Sequence, residues 1–162
     1  MRYTFASSGI TVEYQSVSQR LLREFQIQYR HKHAPKPPVQ IIVIDGKEIA
    51  EPNLAHPDFE QAMQGFEIEM AQAVNKFVIK RAVKSESIDR ALLADALEGV
   101  DNPEDERIAY VYYVAALDEE EIWSFASAII NRSQASEEGI AAQAESFPNE
   151  TQGAQHLENA HA

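Results

Sequence analysis

Residues 58–77 read DFEQAMQGFEIEMAQAVNKF, a stretch in which apolar side chains return at alternating steps of four and three residues. The members of this seam are Phe59, Met63, Phe66, Met70, Ala73 and Phe77. A 3.5-residue repeat is typical of a helix that lays one apolar seam against another, either in a coiled coil or along the inside of a bundle. Ile68, Val74 and Val78 widen the apolar face, which favours the bundle.

Two β elements are predicted upstream of this helix. Residues 3–5 and 10–14 hold aromatic and β-branched side chains around a Ser-Ser-Gly turn, which predicts a short hairpin. Val39–Ile44 is a continuous apolar run that leads into Asp45-Gly46, a strong hairpin-turn signal, and a return strand over residues 47–50. Between the hairpins we expect a basic amphipathic helix capped by Ser16 and ended by the prolines at positions 35, 37 and 38.

The chain after residue 80 is predicted to be helical. Ser85 or Ser87 is expected to cap a helix over residues 88–97, and Asp58 and Asp118 to cap the helices that follow them. Residues 108–117 fit a buried strand or a buried helix, and the acidic start before them favours the helix. Residues 136–139 are expected to open a last short helix that Pro148 ends.

These patterns together predict a mainly α (α+β) fold, a helical bundle with a small N-terminal β-hairpin or ribbon. We expect residues 1–147 to form a single domain. Residues 148–162 are polar, with almost no large apolar side chain, and we expect them to be a disordered tail.

Composition excludes several classes of function. The chain has 162 residues, a formal net charge of −12 and no cysteine, so disulfides, thiolate metal sites and thiol nucleophiles are ruled out. Nucleic-acid binding is disfavoured, because it draws its affinity from cations that neutralise phosphates. No apolar run is long enough to cross a membrane, and no secretory signal opens the sequence. We therefore expect a protein that binds neither nucleic acid nor membrane.

The sequence predicts no catalytic, cofactor or metal site. His31 and His33 flank a lysine and lack further ligands, and His56 lies near Asp58 and Glu60, which leaves a small metal enzyme or hydrolase as a weaker hypothesis. The glycines are scattered and form no phosphate-binding loop. We expect no enzyme and no cofactor.

The apolar seam is the candidate partner surface. Core packing explains Phe59, Met63, Phe66, Met70 and Phe77 more simply. Methionine and phenylalanine are also adaptable enough to line a groove for a partner helix, or for a second copy of the chain in a homo-oligomer.

The order of these signals resembles the tail assembly chaperones and related tail-region proteins of long-tailed (siphovirus-like) bacteriophages. The resemblance is carried by four segments: PKPP at 35–38, DGK at 45–47, PNLAHPDF at 52–59, and SEEGI with SF at 136–147. It implies a non-enzymatic protein of the host bacterial cytoplasm that binds the tape-measure protein and recruits tail-tube proteins, with the seam and the acidic helices after Asp118 as partner surfaces. The alternative is a structural component of the neck or tail that stays in the virion.

Overall fold

The computed structural model describes the backbone of residues 1–146 and the side chains of residues 1–140. The expected tail over residues 148–162 lies outside the described residues. The elements are β1 (Arg2–Thr4), β2 (Thr11–Glu13), α1 (Gln19–His33), β3 (Val39–Ile44), β4 (Lys47–Pro52), α2 (Pro57–Ala82), α3 (Arg90–Ala96), α4 (Glu106–Tyr110) and α5 (Glu119–Ser146). The predicted fold class is confirmed: the described chain is mainly helical, with two separate two-stranded antiparallel hairpins in its first third.

The core forms where the N-terminal hairpin meets α5. The ring of Phe125 lies 4.8 Å from that of Tyr3, 5.2 Å from that of Phe5 and 5.6 Å from that of Tyr14, measured between centroids. The contacts with Phe5 and Tyr14 are edge-to-face, an arrangement that aromatic rings prefer. Because Phe5 and Phe125 are completely buried, they join the hairpin to the helices.

The C-terminal half of α2 supplies the other side of this core. Val78, Ile79 and Ala82 are fully buried, together with Ile129 of α5. The N–H of Lys84 donates to the carbonyl of Glu13 at 2.9 Å, so the segment after α2 runs beside β2. The core therefore lies between α2, α5 and the hairpin.

A buried serine fixes the start of α1. Ser133 of α5 donates its hydroxyl to the carbonyl of Ile129 and accepts a hydrogen bond from the N–H of Val17, both at 2.8 Å. The predicted cap at Ser16 is wrong, because the backbone at this point is held by α5 and the helix begins at Gln19. The contact sets the direction in which α1 leaves the core.

Three other predicted helix ends are corrected. α2 begins at Pro57 and its cap is His56, whose Nδ1 accepts from the N–H of Asp58 at 3.3 Å, so Asp58 lies in the first turn. The cap of α3 is Asp89, whose carboxylate accepts from two backbone N–H groups, whereas Ser85 and Ser87 lie in a separate 3-10 turn before the helix. The predicted break at residues 136–139 is also wrong.

α5 runs without interruption from Glu119 to Ser146. Within it, Glu137 accepts a hydrogen bond from the N–H of Gln19 at 2.7 Å, which ties this part of the helix to the start of α1. A single glycine at 139 costs a helix only about 1 kcal/mol, so it does not end one. Asp118 caps α5 as predicted, accepting from the N–H of Glu121 at 2.8 Å.

Residues 108–115 of this segment are helical, as its acidic start indicated, and Ala116 and Leu117 lie beyond the end of the helix. α4 continues into a single π-helical turn over Val111–Ala115, and Val111 and Ala115 are completely buried. The strand alternative is therefore excluded for this segment.

Glu121 joins the first hairpin to the start of α5. Its carboxylate accepts hydrogen bonds from the hydroxyl of Ser7 and, at 2.8 Å, from the N–H of Ser7. These bonds favour the charged form and lower the pKa of Glu121 below its ordinary value of 4.5. A carboxyl group with a lowered folded-state pKa stabilises the fold above its unfolded pKa and loses that contribution as the pH falls toward the folded value.

We predict that Glu121→Gln makes stability less dependent on pH below about pH 4.5, the range in which the wild-type carboxylate takes up its proton. Urea midpoints measured between about pH 6 and pH 3 check this prediction. Glu120→Gln is the matched control, because Glu120 is an exposed neighbour in the same turn. Equal pH profiles for the two variants would contradict the role given to Glu121.

Candidate interaction surface

The β3–β4 ribbon is built by a tight turn. Asp45 and Gly46 have φ angles of 53° and 75°, and two successive positive values define a type I′ turn, whose twist matches that of the strands it joins. The register pairs Ile44 with Lys47 beside the turn and Val39 with Pro52 at the far end. The predicted ribbon is confirmed, and its return strand runs two residues further than expected.

The apolar side chains of this ribbon face outward. Val39 is 70% exposed, and Ile41 and Val43 are each 67% exposed. Alternate residues of a strand share one face, so these three side chains form a continuous surface, which we call the ribbon apolar face. Within the described residues, β3 and β4 make extensive contact only with each other.

The far side of the ribbon is more polar. Gln40 donates to Glu51 at 2.7 Å across the strands, and Ile42 lies beside Ile49. Ile44 shares this side with Lys47. On this side the isoleucines lie among Gln40, Glu51 and Lys47, whereas Glu48, opposite Val43, is the one charged residue that β3 and β4 place on the ribbon apolar face.

Part of the seam lies between α1 and α2. The rings of Phe25 and Phe77 stack at 4.4 Å, and the ring of Tyr29 lies parallel to that of Phe66 at 6.1 Å. Phe66 is only 3% exposed. The structure therefore uses the seam as a packing surface at these two positions.

The remaining seam residues are less covered. Phe59, Met63 and Met70 are half-buried on α2. Their sequence neighbour Ile68 lies off the seam and is exposed. The five candidate partner residues thus share one helix, but they do not form one open surface.

His31, His33 and His56, the histidines that the structure describes, are not drawn into a ligand cluster. His56 serves as the cap of α2, and the ring of His33 lies 4.5 Å from that of Tyr29 at the end of α1. Among the side chains of residues 1–140, no three His, Asp or Glu groups come together in a way that would hold a metal ion.

Two clefts lie elsewhere on the body. The first, of about 360 Å³, lies between α2 and the start of α5 and is lined by Lys76, Tyr112 and Trp123. Burial, with the nearby charges of Glu104 and Glu119, raises the pKa of Tyr112 above 10.0.

The second cleft, of about 650 Å³, is lined by the basic side chains of Lys80, Arg81, Lys84 and Arg107. Several of these cations already have partners: Lys84 lies 3.5 Å from Glu13, and Arg107 donates to Ser85. The hydrogen bond from Arg2, followed by the charge of Lys84, lowers the pKa of Glu13 below 4.5. Among these cations, Lys84 ties β2 to the end of α2.

Comparison with models of protein families, with curated proteins and with solved structures finds no match to this chain. Among the helices of the described residues, none combines the length and apolar character needed to cross a membrane.

The sequence predicts the ribbon but not its exposure. VQIIVI is apolar at every position except Gln40, and a run of this kind is typical of a strand buried on both faces. In the structure Val39, Ile41 and Val43 of this strand remain about two-thirds exposed. The disagreement between that composition and the observed exposure is the signal that marks the ribbon as a candidate interaction surface.

We predict that Phe66→Ala lowers the free energy of unfolding by about 3 kcal/mol or more, because it removes a buried ring between two helices. Chemical denaturation measures the change. Phe59→Ala is the matched control on the same helix, and its half-buried ring should cost clearly less. Equal losses would contradict the assignment of Phe66 to the packing surface.

Proposed function

We propose that this chain is a non-enzymatic assembly chaperone of a long-tailed bacteriophage, which binds the tape-measure protein through the ribbon apolar face. One observation carries the proposal: Val39, Ile41 and Val43 are about two-thirds exposed on one face of a ribbon that the rest of the described chain leaves uncovered. The phage assignment comes from the resemblance in the order of sequence segments.

The dimensions of the face suit an apolar helix. Residues two apart on a strand lie about 6.6 Å from each other, so Val39 and Val43 are about 13 Å apart. Two turns of an α-helix cover about 11 Å. A partner helix with apolar residues on one stripe therefore matches the three side chains along its length, as helices do when they pack on sheets.

The charge of the body suits the same role. A tape-measure protein is a long helix with apolar stripes, which aggregates unless it is covered. A net charge of −12 opposes association between complexes once those stripes are covered. The acidic first turn of α5, where Glu119 and Glu120 are exposed, offers a separate surface for basic patches on tail-tube proteins.

We predict that co-expression with the tape-measure protein captures it and raises its soluble fraction, and that Val39→Thr with Val43→Thr removes most of both effects. Threonine keeps the β-branched shape but makes the face polar. The matched control replaces two exposed helical residues instead, Ile27→Gln with Ile68→Gln, and should leave capture unchanged.

Absence of capture by the wild-type chain would contradict the proposal. Detection of many copies in purified particles would favour the alternative, a structural component of the neck or tail, since a chaperone leaves before the particle is complete.

A further inference from the structure

The two strands of the ribbon have unequal outer edges. β3 reads VQIIVI and contains no charged residue, whereas β4 reads KEIAEP, with Lys47, Glu48, Glu51 and Pro52. Charged side chains and proline are the devices by which natural sheets prevent pairing at an edge. The edge of β4 is therefore protected against pairing with another strand, and we call it the guarded edge. The edge of β3 lacks charged residues and proline, and we call it the open edge.

The register shows which backbone groups lie at the open edge. The N–H of Asn53 donates to the carbonyl of Pro38 at 2.7 Å, and this pair lies six residues along the ladder from the Ile44–Lys47 pair beside the turn. Hydrogen-bonded and non-hydrogen-bonded pairs alternate along an antiparallel ladder, so the even-numbered residues of β3 bond to β4. The N–H and C=O groups of Val39, Ile41 and Val43 point away from β4.

We infer that the open edge of β3 pairs with the same edge of a second copy, antiparallel and about a two-fold axis at Ile41. In this register Ile41 lies opposite its own copy, and Val39 lies opposite Val43 of the second copy. Val39, Ile41 and Val43, whose backbone groups point away from β4, then all lie opposite one of these residues in the second copy. A shift of the register in either direction leaves at least one of the three without such a partner.

Charge supports a second copy as the occupant of this edge. β3 carries no charge, so two copies lie side by side without like-charge opposition, although each chain has a net charge of −12. In the same register Pro37 lies opposite Asp45 of the second copy, and Lys36 is the residue next to Pro37. The two-fold axis repeats this contact, so unlike charges meet at both ends of the paired strands.

Stability supports pairing as well. A two-stranded hairpin is marginally stable in water, and three or more strands with a shared apolar face are needed for independent stability. Pairing gives four strands and places the apolar faces of both copies side by side. The inference does not rest on the proposed function, because the purified chain tests it without any partner.

Sedimentation of the purified full-length chain over a range of concentrations tests this inference. The wild-type chain is expected to form a dimer, and Ile41→Lys to raise its dissociation constant at least about tenfold, because two lysines then lie opposite each other at the axis. Ala50→Lys is the matched control: residue 50 pairs with Ile41 on the same face but lies on the guarded strand.

Cross-linking gives a second measurement in a chain with no natural cysteine. Opposed residues in a hydrogen-bonded antiparallel pair have Cα atoms about 5.5 Å apart, within the range that a disulfide spans. Ile41→Cys is therefore expected to form a disulfide-linked dimer under mild oxidation, and Ala50→Cys, one strand further from the axis in each copy, to form far less.

A wild-type chain that stays monomeric would overturn the inference, as would a dimer that Ile41→Lys leaves intact. Equal loss of the dimer in both lysine variants, or equal cross-linking by both cysteine variants, would also overturn it, because those results indicate face-to-face contact in place of edge pairing.

Discussion

The packing of the N-terminal hairpin around Phe125 holds the body of the molecule together. Tyr3, Phe5 and Tyr14 surround this ring, and the same hairpin aligns β2 with the segment that follows α2. α2 and α5 are thereby fixed on either side of one core. Because the chain between Tyr14 and α1 is also bonded to α5 through Ser133, the direction of α1 depends on this junction.

The β3–β4 ribbon differs from the N-terminal hairpin, because its apolar side chains lie outside the core around Phe125. Burying a valine or isoleucine side chain gains about 1.5–3 kcal/mol, so the exposure of Val39, Ile41 and Val43 leaves a substantial gain unused in the isolated chain. A second copy at the edge of β3 and a partner helix on the face use different parts of the ribbon. Edge pairing and partner binding are therefore compatible in one assembly.

Local sequence patterns predicted the types of most helices and strands. The helix boundaries that they predicted wrongly are set by tertiary contacts. The Asp45-Gly46 turn and the helical nature of residues 108–115 followed from local chemistry. The start of α1 and the continuity of α5 did not, because both depend on contacts between distant segments, such as Gln19 with Glu137. The seam illustrates the same limit: its repeat predicted a packing helix, but only the structure shows that α1 covers Phe66 and Phe77. The candidate surface was missed because exposure is a property of the whole fold.

Hydrogen exchange of the ribbon amides, measured at low and high protein concentration, tests most directly whether the ribbon is an element of association. The N–H groups of Val39, Ile41 and Val43 are expected to exchange slowly at high concentration and rapidly on dilution. Those of Glu48 and Ala50, at the guarded edge, should exchange rapidly at both. Equal exchange of the two edges at every concentration would contradict pairing through β3.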